Sequence, residues 1–311
     1  MMNYIYGPIP SRRLGKSLGI SPISKKTCNL SCVYCQLGLT DKMTNDFTDE
    51  FKLEDILLEL KTVLDAGEDV DVVSIVGDGE PTLYQHLEEL IEGIKMITDE
   101  PVAVITNGTR FNNDKVYKAL LKADIVLPSI DAYDEESFVK INRPHKSLEY
   151  QKVVDGLIKF SHDYQGKLWL ETMVVEGIND SLEAVEGFKK LLGLIKYDKY
   201  YLNSPVRPPA LKSCKPTTHE QMEKMAKKLG GINIDHLADP KFFSFIKDDY
   251  EAILSIIKRH PMNQFELKAF LDSRKNPDNE YIFKRLKEDI RIECINYKKY
   301  DTYRFKVGEY K

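Results

Sequence analysis

The chain has 311 residues, 42% of them hydrophobic, and a formal net charge of −4 at pH 7. This length exceeds one average domain and the apolar fraction can fill a core, so the composition excludes a disordered chain. The sequence has no apolar leader after Met1 and no apolar run long enough to span a bilayer, so we expect a cytoplasmic protein with reduced thiols and no membrane partner.

Between Ser17 and about Ser204, short apolar runs alternate with amphipathic stretches, a pattern typical of repeated strand–helix units. The six predicted strands are Ser17–Ser24, Asp71–Val76, Val102–Thr106, Asp124–Pro128, Leu168–Val175 and Lys199–Asn203. The helices predicted between them are Leu53–Asp65, His86–Ile97, Asn113–Lys122, Leu148–Ser161 and Ser181–Lys196. Six such strands predict an α/β fold, with a partial (β/α)6 TIM-like barrel over residues 1–240.

Residues 241–311 have a different pattern, which predicts a second domain. Three amphipathic helices precede two strands that flank a basic turn. The helices are Asp248–Arg259, Asn263–Leu271 and Asn279–Glu288, the strands are Arg291–Ile295 and Tyr303–Val307, and the turn is Asn296–Thr302. Three helices followed by a two-stranded hairpin predict a winged-helix-like domain.

The C-terminal part is also the basic part of the chain. From Tyr250 onward it has 14 Lys and Arg against 10 Asp and Glu, and Lys284, Arg285 and Lys287 lie together on the third helix. Such a surface suits RNA or DNA, but winged helices also bind proteins, and acidic residues dilute the charge of this helix. We therefore expect the domain to bind a nucleic acid or a protein, or to brace the open side of the barrel.

Three of the five cysteines, Cys28, Cys32 and Cys35, lie within eight residues. Thiolates are the preferred ligands of iron–sulfur clusters, and three ligands leave one iron of a 4Fe-4S cluster open for a substrate or cofactor. A structural zinc site would need a second pair of Cys or His residues nearby, and a disulfide would need an oxidising compartment. Cys214 and Cys294 are isolated in the sequence, and we interpret them as packing residues.

Polar and turn-forming residues follow the predicted strands at one rim of the barrel. The cysteine segment follows the first strand in the same way. Active sites of such barrels lie at the C-terminal ends of the strands. The sequence therefore predicts one mouth that collects the candidate groups. The segments at this rim are Gly77–Pro81, Thr106–Gly108, Ser129–Asp131 and Asn203–Pro205.

The Cys-x3-Cys-x2-Cys segment has Tyr34 before its last cysteine and is followed, about forty residues later, by a strand and Gly-x-Gly-Glu-Pro. This combination resembles the radical SAM superfamily. Tyr6–Gly15, Asn142–His145 and Ser204–Pro209 resemble its wyosine-synthetase branch, which includes proteins described only as iron–sulfur oxidoreductases. The resemblance covers about the first 230 residues and says little about the substrate.

This resemblance implies a 4Fe-4S cluster on Cys28, Cys32 and Cys35, whose open iron binds S-adenosylmethionine. One electron, from a reductant such as a flavodoxin or a ferredoxin, then cleaves the S–C5′ bond, and the 5′-deoxyadenosyl radical abstracts hydrogen from the substrate. The residues that the resemblance places at the cofactor are Tyr34, Gly77, Asp78, Gly79, Glu80, Pro81, Thr106, Asn107, Ser129 and Glu171.

These contacts also have plainer explanations. Gly77 and Gly79 support the cofactor contact, because glycine permits a positive φ and close backbone approach, which expose N–H and C=O groups to the methionine amine. The plainer explanation of this segment is an ordinary strand-to-helix turn with Glu80 near a helix start. Thr, Asn and Ser at strand ends are common caps and turn formers. Asp78 stands where many relatives have glycine or another small residue, which leaves a backbone role of the loop intact. Glu171 lies in an otherwise apolar strand, where a carboxylate is costly unless paired or used as a contact.

The sequence does not identify a catalytic residue, although it offers candidates. A histidine in a loop at the predicted mouth could act as an acid or base, and arginines there could bind an anionic group of the substrate. Surface arginines are more often solvated or paired locally, so each has a structural alternative. Arg12, Arg13 and Arg207 lie in such loops. The catalytic candidates are Glu171, His145 and Arg143.

Three classes of function are compatible with these patterns. The favoured one is an enzyme that modifies a substrate by a radical, with a tRNA base as the preferred substrate. Wyosine formation itself is not expected, because the resembling enzymes use additional cysteines and none precedes Cys28. The alternatives are an activase that installs a radical or modification on a partner protein or peptide, and an iron–sulfur DNA-binding regulator. A pure sensor would not need Gly77–Pro81, which argues against the regulator.

Overall fold

The computed structural model describes residues 4–67, 69–234, 242–244 and 246–306. Apart from β3 and β4, which pair with each other, the strands of the barrel part form one eight-stranded sheet in the described residues. In chain order the strands are β1 (Ile5–Ser11), β2 (Gly15–Ile20), β3 (Thr27–Cys28), β4 (Lys42–Met43), β5 (Val72–Ile75), β6 (Val102–Thr106), β7 (Ile125–Pro128), β8 (Lys167–Met173), β9 (Lys199–Asn203) and β10 (Ile232–Asn233).

The strands of the large sheet lie side by side in chain order. Strands β2 and β5 to β10 run parallel to one another, whereas β1 is antiparallel to β2. The predicted α/β fold with six parallel strands, found as β2 and β5 to β9, is confirmed. Because β1 and β10 lie at opposite edges, the sheet is open and the barrel is partial.

Strand β1 is an edge strand that the sequence does not predict. It contains Gly7, Pro8 and Pro10, and proline cannot donate a hydrogen bond to a central ladder. An edge strand tolerates these residues because one of its sides needs no partner. Strand β2 ends at Ile20, earlier than predicted, because Pro22 cannot continue the ladder.

The helices lie between the strands and cover the outer face of the sheet. Five of them confirm the predicted helices within a few residues, whereas α4 and α7 are additional. Both have readable starts, a capping box at Asp134 and Ser137 for α4 and the N-cap Thr218 for α7. The helices of this part are α1 (Leu53–Leu64), α2 (Leu87–Ile97), α3 (Asp114–Leu121), α4 (Glu135–Asn142), α5 (Tyr150–Asp163), α6 (Leu182–Leu192) and α7 (His219–Leu229).

The two faces of the sheet have different surroundings. Val73 and Ile75 of β5 point to the outer face and belong to the main apolar core beneath the helices. Val72 points inward, into a small apolar cluster that includes Leu127 and Trp169. Ser74, the next inward residue of β5, lines a cavity instead. The inner face is therefore filled by apolar side chains at one end and open at the other, as alternation along a strand allows.

The C-terminal residues form a compact unit with its own apolar core. The predicted order of three helices and a hairpin is confirmed, and a short strand, β11, joins the hairpin in a sheet of order β11-β13-β12. The predicted domain boundary at 240/241 lies outside the described residues, and the winged-helix assignment stays a prediction. The elements are α8 (Asp249–Ile257), β11 (Met262–Asn263), α9 (Gln264–Ser273), α10 (Asn279–Glu288), β12 (Ile292–Tyr297) and β13 (Tyr300–Phe305).

The hairpin turn is shorter than the predicted turn over Asn296–Thr302. Tyr297 pairs with Tyr300, so Lys298 and Lys299 alone form the turn. Both have positive φ, 52° and 69°, which is the conformation that a two-residue hairpin turn requires. The sequence hides this turn because lysine is an unusual residue for it. The last residue of the predicted strand, Val307, lies outside the described residues.

The hairpin contacts the barrel part directly. The Tyr297 hydroxyl donates to the Pro205 carbonyl at 2.7 Å, and Arg304 donates to the Pro208 carbonyl at 3.2 Å. Ile9 of β1 also packs against the C-terminal core. The C-terminal unit thus packs against the barrel part, and its expected roles stay predictions. Among the described helices, none combines the length and the apolar composition needed to cross a bilayer.

Candidate functional site

A cavity of about 500 Å³ opens at the C-terminal ends of the parallel strands. The barrel part contributes the three clustered cysteines, the backbone of Gly77–Gly79 and the inward-facing Glu171. The C-terminal unit contributes Arg259 and His260, which follow α8. The predicted mouth is thus a real cavity, and the C-terminal unit forms part of its wall.

The three cysteines are half-buried and free of disulfide bonds. Amide groups approach two of their sulfur atoms: Leu30 N lies 3.4 Å from Cys28 Sγ, and Asn142 Nδ2 lies 3.4 Å from Cys32 Sγ. Burial and, next, the charge of Glu80 raise the pKa of Cys28 to about 12. The protein alone therefore favours the thiol, and a bound cation is needed to hold a thiolate there.

The cysteine segment is held in place by the end of α4 and the residues that follow it. Ser31 N donates to the Asn142 carbonyl at 2.9 Å, and the His145 N–H donates to the Asn29 carbonyl at 2.8 Å. Arg143 ends α4 with a φ of 48° and is exposed. Neither the Arg143 nor the His145 side chain lines the cavity, so their catalytic role stays a prediction. The segment Asn142–His145 supports the cysteine segment through backbone hydrogen bonds.

Close backbone approach explains the glycine at position 79. A Cβ on Gly79 would lie 1.9 Å from the Thr27 carbonyl oxygen, directly before Cys28. The Glu80 N–H donates to the same oxygen at 3.1 Å. Neither Gly77 nor Gly79 has a positive φ, so that part of the sequence argument is wrong. Lack of a side chain, not backbone freedom, is what this position requires.

Asp78 is buried beside the cavity and pairs with the C-terminal unit. Its Oδ2 lies 3.2 Å from Arg259 Nε, and the side chains are only 6% and 9% exposed. The Arg259 guanidinium also lies 4.5 Å from the centre of the Tyr6 ring. Among the described residues, Asp78 Oδ1 has no hydrogen-bond partner. Asp78, which departs from the family pattern, therefore forms an ion pair with the C-terminal unit.

Glu80 faces away from the cavity, toward the end of β6. One of its oxygens accepts from the Thr106 hydroxyl at 2.6 Å and from Thr82 N at 3.0 Å, and the other accepts from Asn107 N at 2.7 Å. Asn107 in turn donates to Cys28 Sγ at 3.7 Å. These bonds match the plainer explanation of Glu80, Thr106 and Asn107, and Pro81 begins a buried 3-10 turn. Their cofactor contacts stay predictions.

Asp131 was placed at the rim by the sequence analysis, within Ser129–Asp131, but was given no role there. It follows β7, burial raises its pKa to about 6, and it accepts hydrogen bonds from Tyr34, Asn142 and Met173 N at 2.5, 2.8 and 2.8 Å. It thereby orients Tyr34, which lines the cavity, and Asn142, which touches Cys32. Ser129 lies outside the cavity lining and bridges to the Glu171 backbone. The sequence signal that could have indicated a role for Asp131 is its position as a carboxylate shortly after the apolar strand β7.

Glu171 lies on the inner face of β8 and forms an ion pair with Arg13. Both side chains line the cavity and are mostly buried. The pair explains how a carboxylate is tolerated in this strand. Glu171 also faces the space in which a substrate would lie. Its position is therefore compatible with a paired structural carboxylate and with a contact to the cofactor or substrate.

A second polar cluster lies where the loop after β9 meets the C-terminal unit. Arg207 donates to His260 at 2.5 Å and lies 3.2 Å from Glu266. Burial, followed by the charges of Arg207, Arg12 and Arg13, holds the pKa of His260 well below 6.5. His260 is therefore a neutral acceptor for Arg207. The sequence analysis missed His260, which follows the first predicted C-terminal helix, and Glu266, which lies in the second, because neither position gave a sign of proximity to the barrel.

The cavity fits a 4Fe-4S cluster together with S-adenosylmethionine. Cys28, Cys32 and Cys35 line one space, and ligands of a cluster need not meet at one point because each binds a different iron. In the described residues no three Cys, His or acidic side chains converge as ligands of a single ion. The buried, unpartnered Asp78 Oδ1 is a suitable acceptor for an ammonium group. These residues would hold the iron and the amino-acid end of the cofactor.

Comparison with known proteins identifies the family of the chain. Residues 23–188 match the family model of the radical SAM superfamily. A UPF0026 protein of Methanocaldococcus jannaschii is 36% identical over 87% of either chain. A protein named GTPase Obg from Brachyspira hyodysenteriae is 34% identical over 94% of this chain, but this chain spans only 44% of its length. A structure of TYW1 with a lysine-pyruvate adduct shares the fold, with a TM-score of 0.51, 22% identity and coverage of 68% of this chain and 72% of that one.

Proposed function

The chain belongs to the radical SAM superfamily, whose enzymes use a 4Fe-4S cluster and S-adenosylmethionine, and on that premise we propose a specific activity. The protein cleaves S-adenosylmethionine reductively and uses the resulting radical to modify a macromolecular substrate, with a tRNA base favoured. The observation that carries this proposal is the single cavity that contains three thiols, the Gly77–Gly79 backbone and the Arg13–Glu171 pair.

The residues of the chain have distinct tasks in this activity. When bound, the cluster and S-adenosylmethionine supply a carbon radical once one electron is delivered. The three thiolates would hold iron, and Asp78 would accept a hydrogen bond from the amino-acid end of the cofactor. Arg259 and His260 close one side of the cavity, which excludes water from the reacting centre. Glu171 and Arg13 face the substrate from the inner wall.

The charges around the cavity favour an anionic substrate. Arg13 and Arg207 line it, each with a carboxylate partner, and an incoming phosphate can share such guanidinium groups. On the surface of the C-terminal unit, Lys284 and Lys287 of α10 are exposed, and this part of the chain has a net positive charge. RNA offers phosphates to both regions at once, which is why we favour it over a protein substrate.

Replacement of Cys32 by alanine tests the activity. The unaltered protein, reconstituted without oxygen and reduced by dithionite, should release 5′-deoxyadenosine and methionine, and Cys32→Ala should release neither, because one iron loses its ligand. Cys294→Ala, at an exposed cysteine, is the matched control and should behave as the unaltered protein. Iron and sulfide content, measured beside the products, reports cluster loss directly. Cleavage that persists in Cys32→Ala would show that the ligand assignment is wrong.

Mass spectrometry identifies the class of substrate. Total tRNA and the proteome are compared between cells with and without this protein, and a nucleoside missing from tRNA is the expected difference. A changed protein or peptide with unchanged tRNA would replace the tRNA proposal by the activase. Transcripts that change while both remain the same would favour the regulator.

A further inference from the structure

A basic groove lies beside the cysteine segment, where the barrel part meets the C-terminal unit. Lysine and arginine side chains from both parts line it, together with one carboxylate among the described residues. A few apolar side chains, Leu37 and Phe305 among them, also line it. The groove therefore combines charged groups with some apolar surface. Its charged residues are Lys25, Lys26, Lys258, Arg304, Lys306 and Asp41.

Two of the cations that line this groove have no carboxylate partner within the part of the chain that the structure describes. Lys26 lies 3.4 Å from Asp41, and Arg304 lies 2.7 Å from Glu293. Within the described residues, Lys25 and Lys258 form no salt bridge; Lys25 instead lies 5.7 Å from the centre of the Phe305 ring. Burial lowers the pKa of Lys25; the nearby charge of Asp78 opposes this shift, and the charges of Lys26, Lys258 and Arg259 add to it. Like charges are crowded here, and an acidic partner would relieve their repulsion.

A thin wall separates the groove from the cofactor cavity. Lys26, Gln36 and Leu37 line the groove on one side and the cavity on the other. Gln36 follows Cys35 directly, and its side chain is fixed by a 2.9 Å hydrogen bond to the Arg259 carbonyl. A partner seated in the groove would thus be separated from the thiols by one layer of side chains.

We propose that this groove is the docking surface for an acidic one-electron carrier protein of the flavodoxin or ferredoxin class. The inference rests on the proposed function, because each reductive cleavage consumes one electron. That electron leaves the reduced carrier, enters the cluster and breaks the S–C5′ bond of S-adenosylmethionine, which yields methionine and the carbon radical. No atom passes from the carrier to the chain.

The composition of the groove favours a carrier protein over RNA. Electron-transfer complexes are small and transient, and they combine a few apolar contacts with charges that steer the encounter. A phosphate backbone needs cations alone, whereas this groove also offers the apolar side chains Leu37 and Phe305. A carrier in the groove would lie close to Cys35 and could pass an electron from there. A nucleic-acid base, in contrast, must enter the cavity itself to react.

Charge reversal at Lys258 tests the docking surface. Lys258 is exposed at the end of α8 and lies outside the cofactor cavity. In the reconstituted full-length protein, Lys258→Glu should weaken binding of a purified flavodoxin about tenfold at low salt, with a smaller difference at high salt. Flavodoxin-driven release of 5′-deoxyadenosine should slow accordingly. Dithionite-driven release should not change, because dithionite needs no docking surface.

Lys227→Glu is the matched control, because Lys227 is an exposed lysine in the last turn of α7 and lies outside the groove. It should leave flavodoxin binding unchanged. The proposal is overturned if Lys258→Glu binds flavodoxin normally, or if it slows both reductants equally. Weaker tRNA binding with normal flavodoxin binding would assign the groove to RNA. If dithionite drives no cleavage in the unaltered protein, the proposed function fails, while the flavodoxin binding comparison still decides the groove.

Discussion

At the scale of single residues, Gly79 shows how one atom can control the site. Its backbone lies against the Thr27 carbonyl, and the space that a Cβ would need is already taken. The obstacle is backbone, which cannot rotate away as a flexible side chain can. Because Thr27 precedes Cys28, any shift made for a larger residue would move the first iron ligand. Packing at this position and metal binding are therefore linked.

Gly79→Ala should destabilise the fold by about 1–3 kcal/mol, which is the usual cost of overpacking. It should also lower the iron content per chain, because the Cys28 backbone must shift. Denaturant unfolding and iron analysis measure the two effects. Gly193→Ala is the control, since a Cβ there meets its nearest neighbours at 3.4 Å, an ordinary contact. Equal iron content in the two variants would contradict this account of Gly79.

At the scale of elements, the loop after β5 and the end of α8 act as one structure through Asp78 and Arg259. The two side chains are almost fully buried, and removal of Arg259 would take away the cation that pairs with the buried Asp78 carboxylate. Breaking a buried pair from one side costs far more than losing an exposed pair. Tyr6 adds a ring contact to Arg259, which holds the pair against β1.

A double-mutant cycle tests this connection. Arg259→Met should destabilise the protein by about 3 kcal/mol, whereas the Asp78→Asn and Arg259→Met double variant should lose less than the two single variants together. Lys224→Met, which breaks the exposed Lys224–Glu220 pair, is the control and should change stability little. Denaturant unfolding measures all of these variants. Additive losses would show that Asp78 and Arg259 do not interact.

At the scale of the whole molecule, the junction between the two parts depends on the protonation of His260. Arg207, Arg12 and Arg13 surround it, with Glu266 on the far side of Arg207. Protonated His260 would add a fourth positive charge and could no longer accept a hydrogen bond from Arg207. The folded chain therefore holds His260 neutral at pH values where the unfolded chain protonates it.

Stability should consequently fall as the pH drops below about 6.5, because the unfolded state then binds one more proton than the folded state. The slope from this one group approaches about 1.4 kcal/mol per pH unit. His260→Gln retains a hydrogen-bond acceptor and cannot titrate, so its unfolding free energy should depend less on pH between 7 and 5. Unfolding of both proteins at matched pH values measures the difference. Parallel pH profiles would contradict the assignment.

Local patterns in the sequence were enough to predict the six parallel strands, five of the barrel helices and the order of the C-terminal elements. Apolar periodicity determines these features, and periodicity is visible in a single chain. The predictions were wrong where residues occur in a structure that they usually disfavour. Prolines concealed the edge strand β1, and lysines with positive φ concealed the short turn at Lys298–Lys299.

The sequence by itself determined the fold class and the three clustered thiols, because strand periodicity and ligand spacing are properties of neighbouring residues. Tertiary structure alone decided which side chains meet in the cavity. It turned Glu80 toward β6, removed Arg143 from the lining, and paired Asp78 with Arg259. The physical reason is that such pairings depend on how the two parts of the chain pack, and each partner gives no local sign of the other.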